Sequence, residues 1–246
     1  MRYEMMFPDD IKRTIENNVP VVLPAGVLEY HAGHCPVGVD GLLVVKAVEL
    51  IEKEADIVIL PPFYYGAASS AVASPEASGT LDLDSNAIHI FARSLFDNLL
   101  SVGFRNIHVF IHHQTENFES GMPTDLAFRF AARQAIFSLL EKERGKGWWG
   151  DEKMKDYYEL HSGGEDPFSA IQVHPLMDSE TRGLFPIDHA GKQETSLMMA
   201  FCPEGVKQER ITRDRWYAET AGDASILYGE KAKEMILEKM RRILKP

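Results

Sequence analysis

Glu29, His31, His34 and Asp40 fall within one short stretch, residues 23–40, which reads LPAGVLEYHAGHCPVGVD. Carboxylates and imidazoles crowded in this way suit a divalent ion such as zinc or manganese, and the lack of several thiolates argues against a structural zinc site. Glu29 and His31 are one residue apart, so on extended backbone both side chains leave on the same side. Asp40 is a hard carboxylate able to bridge two ions. A paired-ion site lowers the pKa of water and clamps both the attacking and the departing oxygen. A second polar cluster, His112-His113-Gln114-Thr115-Glu116-Asn117, follows an apolar run, and a third is Asp188-His189-Ala190-Gly191. The expectation is that these three loops converge and hold divalent metal. Taken alone, Glu-X-His is a weak motif and stands equally for a solvated loop or a hydrogen-bonded core pair.

Other chemistries find little support. No dinucleotide fingerprint, Walker loop or Gly-X-Ser-X-Gly elbow occurs. Cys35 lies inside the ligand-rich loop, where a small buried residue is the plainer reading than a soft ligand or nucleophile. His89 falls on a helix face and His108 within a strand, both structural settings. His161 and His174 flank an irregular region, and His34 is set down as a loop-holding or substrate-facing residue rather than a ligand.

The elements that must position these clusters alternate. Residues 9–18 read as a helix with acidic residues in its first turn. Residues 19–24 (VPVVLP), 57–61 (IVILP) and 107–111 (IHVFI) have the short, β-branched look of buried parallel strands. Residues 41–56, 85–102, 123–144 and 223–244 carry helical periodicity, and Gly103 stops the second of these. Residues 196–200 continue an apolar run after the third cluster. The long Gly, Ala, Ser and Pro-rich stretch 62–80, with Tyr64, Tyr65 and Gly66 near its start, predicts a substrate-binding wall. Residues 145–164, carrying Trp148 and Trp149, fit a flap or a subunit contact. The alternation predicts a single α/β domain over 1–246, a three-layer α/β/α sandwich with a mostly parallel central sheet. Right-handed crossovers then place the first two polar clusters at the carboxyl ends of strands.

The 246 residues are 45% hydrophobic and 26% charged, as in a soluble globular protein, and carry a formal charge of −11. That charge argues against nucleic acid or anionic membrane as partners. No run reaches transmembrane length, the first residues lack a signal-peptide pattern, and two cysteines do not make a disulfide framework. A cytoplasmic protein with a small-molecule substrate is expected.

At this point the motifs carry a resemblance. LPAGVLEYHAGHCPVGVD resembles the creatininase-family signature P-x-G-x-x-E-x-H-G-x-H-x-P-x-x-x-D, and DHAGKQETSLMMAFCP resembles its later H-A-G-x-x-E-T-S motif. The likeness spans most of residues 19–205. It implies an α/β fold, two divalent ions (zinc or manganese), and hydrolysis of a C–N bond in a small cyclic amide by a metal-bound hydroxide. Carried over by position, Glu29, His31 and Asp40 match metal ligands, Asp40 the bridging one, and Glu116 matches a further ligand. His189 matches the catalytic histidine, which would shuttle a proton to the leaving group, and Glu194 is the motif's second acid. The resemblance also implies a homo-oligomer, commonly a hexamer.

The chain departs from the family pattern in several places. The family's liganding histidine falls on Gln114, so either His113, if the loop shifts by one residue, or Gln114 through its carbonyl contacts metal, and His112 orients a ligand. Phe185 stands where creatinine-cleaving members carry tryptophan, only Gly79-Thr80 survives of the family's histidine and F-P-G-T run (here ASPEASGT), and Ala32 replaces a glycine. These changes argue against creatinine itself. They leave hydrolytic C–C ring opening of an oxidised inositol, such as 3-dehydro-scyllo-inosose, as the alternative, and a non-catalytic metal-binding subunit as a second one.

Overall fold

The structure, a computed structural model, describes residues 1–69, 79–114, 118–155, 166 and 168–244. Four strands, β1 (Val21–Ala25), β2 (Val58–Ile59), β3 (Ile107–Ile111) and β4 (Ile171–Pro175), form one sheet. Their order is β2-β1-β3-β4 and every pairing is parallel. Six of the helices set the layers: α1 (Pro8–Glu16), α2 (Val39–Ile51), α3 (Ser85–Val102), α4 (Pro123–Arg144), a short α5 (Ser179–Leu184) and α6 (Lys192–Phe201). The chain closes with α7 (Ile226–Ile243).

The side-chain period of two divides the strands between two cores. Val21, Leu23, Ala25, Ile107, Val109 and Ile111 pack with α3 and α4 through Phe96, Leu99, Phe128 and Ile136. Val22, Ile59 and Phe110 face the other way, into Leu43, Val44, Leu197, Met198 and Ile236 of α2, α6 and α7. The handedness of the crossovers explains this division. From β1 the chain steps to one side to reach β2, and from β2 it steps back across to β3 and on to β4. Right-handed crossovers in opposite directions lay α2 on one face and α3 and α4 on the other. The result is the expected three-layer α/β/α sandwich.

Local chemistry sets the helix ends. Asp84 accepts from the Asn86 N–H at 2.8 Å to open α3, and Gly103, at φ +121°, closes it. Pro123 starts α4 while Asp125 accepts from the Met122 N–H at 2.9 Å. The spans 85–102, 107–111 and 123–144 appear where the sequence places them. The helix expected over 41–56 starts earlier, at Val39, which puts Asp40 in its first turn instead of in a loop. The strand expected over 57–61 is cut to Val58–Ile59 before two prolines, and the C-terminal helix begins at Ile226. Among the described residues no helix is long and apolar enough to cross a membrane.

Candidate metal centre

The sheet reverses its strand order between β1 and β3, and parallel sheets open a crevice at the carboxyl ends of such a pair. Glu29 and His31 follow β1, and His112 and His113 follow β3 directly. Gly26 holds the β1 turn so close to α2 that a side chain there would overlap the Asp40 and Gly41 backbone, which brings Asp40 into the same crevice. His189 and Glu194 arrive from the other side. Glu194 lies in the first turn of α6, and the buried Asp188 carboxylate accepts from the N–H groups of Gly191, Gln193 and Glu194 there. Burial, with Glu194 nearby, raises the Asp188 pKa to about 6 against those backbone bonds. Among the described residues, three of the four non-glycine residues with positive φ, Ala32, Gln114 and Ala190, lie in these loops. Left-handed backbone costs such residues energy and collects at functional sites.

Glu29, His31, Asp40, His112, His113 and Glu194 are all buried. Asp40 turns its two oxygens to different imidazoles: Oδ1 lies 3.5 Å from His31 Nε2, and Oδ2 lies 3.1 Å from His113 Nδ1. Glu29 Oε1 is 3.3 Å from His113 Nδ1, while its Oε2 accepts from the Ser69 N–H (2.8 Å) and hydroxyl (2.9 Å). Glu194 Oε2 is 3.4 Å from His31 Nε2 and accepts from the Ala190 N–H at 2.7 Å, and Glu194 Oε1 accepts from His112 Nε2–H at 3.2 Å. Two groups that could each hold an ion therefore share Asp40: Glu29, Asp40 and His113, and His31, Asp40 and Glu194. A further grouping joins Glu29 and His31 to His189.

The donor set fits divalent ions. His31 Nδ1–H donates to the Glu29 carbonyl at 2.9 Å, which fixes the tautomer and leaves Nε2 with no hydrogen-bond partner, aimed at Asp40 and Glu194. Three buried carboxylates converge, and among the described residues no Lys or Arg lines the cavity. Buried carboxylates without a cation are costly, so in the metal-free protein protons take its place. Burial opposes charge on both imidazoles, yet Glu194, Asp40 and Glu29 raise His31 to about 9. Asp40 and Glu29 likewise raise His113 to about 10. In return, and against their burial, His113 and His31 hold Asp40 well below the usual carboxylate range, and His31 leads in depressing Glu194.

His189 sits at the edge of this cluster, its side chain 21% exposed. Its Nε2–H donates to the Tyr30 carbonyl at 2.8 Å, so Nδ1, 3.5 Å from Glu29 Oε1, is the nitrogen free to take and give a proton. The ring stacks on His31 at 4.5 Å. All of this opens into a cavity of about 530 Å³.

Of the residues expected at the site, the structure brings together Glu29, His31, Asp40, His113, His189 and Glu194. Glu194, expected beside His189 as the motif's second acid, also belongs to one of the groups that could hold an ion. His113, one position from the family's usual place, reaches Glu29 and Asp40. Gln114 is half-buried and lines the cavity outside both sets. Glu116 lies outside the described residues, as do residues 70–78 of the expected substrate wall and His161. His34 bonds Thr195 Oγ1 at 2.9 Å and holds its loop. His108 and His174 bond each other across β3 and β4 at 3.1 Å, and His89 stacks on Phe130. Half-buried Cys35 has its thiol pushed up by burial to about 12, as an inert packing residue would. Phe185 is buried edge-on against Tyr228, away from the cavity lining. Trp148 is buried and neither it nor Trp149 lines the cavity. Sequence reasoning missed Ser69, whose only signal was its place in the 62–80 loop, and the cavity residues Trp216, Tyr217 and Thr220.

Comparisons with known proteins agree on the fold and the family. The chain is 24% identical over 210 residues to creatinine amidohydrolase of Pseudomonas putida, covering 85% of this chain and 74% of that protein. Its fold is similar to a tryptophan-to-phenylalanine mutant of creatininase (TM-score 0.70, 20% identity, 100% of this chain and 99% of that one). A manganese creatininase matches with TM-score 0.68 at 19% identity, over 100% and 99% of the two chains. A zinc–zinc form of a glutamate-to-glutamine mutant matches with TM-score 0.70 at 20% identity, over 100% and 98%. The family model described as creatinine amidohydrolase matches residues 4–239, so the chain, with its loops after β1 and β3 and its α6 terminus gathered on Asp40, belongs to the creatininase family.

Proposed function

We propose that the chain is a metal-dependent hydrolase that opens the C–N bond of a small cyclic amide, with two zinc or manganese ions. The observation that carries this reading is Asp40, whose two oxygens face two different ligand sets. Glu29, Asp40 and His113 would hold one ion, and His31, Asp40 and Glu194 the other. Bound there, the ions would polarise a carbonyl and lower the pKa of water. The chain's own residues do the rest. Ser69 fixes one oxygen of Glu29 and leaves the other for a ligand or a proton. His112 holds Glu194 in place by a bond to its second oxygen. His189, its Nε2–H tied to Tyr30, has its Nδ1 free at the cavity edge to carry a proton to the leaving nitrogen.

Phe185, standing where creatinine-cleaving members carry tryptophan and packed on Tyr228, favours a substrate other than creatinine. Ring opening of an oxidised inositol is the second reading, supported by the polar Gln114, Asp188 and Thr220 in the cavity lining. A turnover panel of cyclic amides against inosose-type diketones separates the two. The same panel run on His189→Ala should lose about 10²–10⁴ in rate with bound metal unchanged. Unchanged turnover in that variant would remove His189 from the mechanism, and activity on neither class would favour a non-catalytic metal-binding subunit. We also propose a homo-oligomer, supported by the exposed Phe130 and Phe137 of α4 and checked by sedimentation.

A further inference from the structure

One wall of the cavity is aromatic and comes from a segment that carries none of the family motifs. Residues Trp216–Asp223 form a short 3-10 helix. Its backbone is anchored from beneath: Ala218 and Ala221 are buried, and Thr220 Oγ1 accepts from the Lys192 N–H at 3.0 Å, at the start of α6. Tyr217 packs on Ala32, Ala190 and Ala218 and sets its ring edge-on to His189, with centroids 5.1 Å apart at 73°. Trp216, next in line and edge-on to Tyr217, lines the cavity while 80% of its surface is exposed.

An indole held on a fixed element and joined to His189 through the Tyr217 ring, yet covering little of the protein, is an aromatic surface waiting for a ligand. The same cavity is lined by the polar Glu29, Asp40, His113 and Glu194. The cavity thus offers a flat apolar face together with charged groups, at a size suited to a small molecule. We propose that Trp216 is a specificity-determining residue whose indole receives the flat face of a small planar cyclic amide while the amide edge turns toward Glu29, Asp40 and His189. The assignment rests on the hydrolase reading for its choice of ring.

The test uses zinc-loaded protein as wild type, Trp216→Ala and Trp216→Phe, with Trp149→Phe as a distant control. Binding of hydantoin and of creatinine is measured by calorimetry, N-methylformamide serves as an acyclic comparator, and turnover is followed separately. Because the indole is exposed, Trp216→Ala should fold and melt as wild type does. Aromatic contact predicts ring affinity about tenfold weaker in Trp216→Ala and within about threefold of wild type in Trp216→Phe. N-methylformamide binding and the Trp149→Phe variant should not change. Ring binding by Trp216→Ala equal to wild type, or no binding of either ring to wild type, would overturn the assignment. Ring binding that depends on Trp216 with no hydrolysis by wild type would sink the hydrolase reading and leave the aromatic wall standing. Hydrolysis that is indifferent to Trp216→Ala would do the reverse.

Discussion

Asp40→Asn is the sharpest perturbation of the centre, because it keeps the shape of the side chain and removes the charge both ligand sets share. In the metal-free protein Asp40 lies 3.5 Å from His31 and 3.1 Å from His113, all three buried. Removing one partner of a buried ion pair costs about 3–5 kcal/mol, since the other charge is left stranded. In a chain of this length each kcal/mol moves the melting midpoint by about 2–4 °C. The expected drop for chelator-treated Asp40→Asn is therefore roughly 6–20 °C. Metal content should fall further than in either neighbour: Glu29→Gln and Glu194→Gln each spare one ligand set, whereas Asp40→Asn spoils both. Calorimetric melts with elemental analysis on the three variants read both effects. An Asp40→Asn protein that keeps both ions, or melts with wild type, would refute the shared-carboxylate arrangement.

Two further expectations follow from the same geometry and from the strands beneath it. His113→Ala should weaken one ion by about a hundredfold or more, as loss of a ligand exceeds loss of a supporting bond, while Gln114→Ala should leave both ions bound; elemental analysis after dialysis decides between them. Burial holds His108 down to about 4 and His174 to about 3, both well below the ordinary imidazole value of about 6.5. Between those values the unfolded chain binds more protons, so this stability is complete above about 6.5 and is lost as pH falls toward 4, by about 3 kcal/mol for the pair's first proton. Urea midpoints at two pH values measure it, and a His174→Leu variant with an equally steep acid limb would contradict it.

The legible parts of the fold were those in which pattern and environment agree. The strand IHVFI is buried on both faces, and the helix over 85–102 has a capping Asp84 and a terminating Gly103. β4 was hidden because Gln172 is exposed and Val173, His174 and Pro175 are only partly buried at the sheet edge, so IQVHP shows neither a continuous apolar run nor a clean alternation. α6 was hidden for the opposite reason: from Gln193 to Phe201 every residue is buried, which leaves no polar face for a helical period to display. Glu29, His31, Asp40 and His189 were visible through residue type, spacing and family likeness. The meeting of Glu194 with His31, across most of the chain, depends on α6 docking beside the sheet and had no local signature. Trp216 lies among charged neighbours and acquires its meaning only from the wall it joins.

Metal content per chain, by elemental analysis of protein purified without chelators, tests the central claim most directly. The account predicts two equivalents of zinc or manganese, both lost on Asp40→Asn. A protein that carries no tightly held divalent ion, and takes none up on dialysis against either metal, would contradict it.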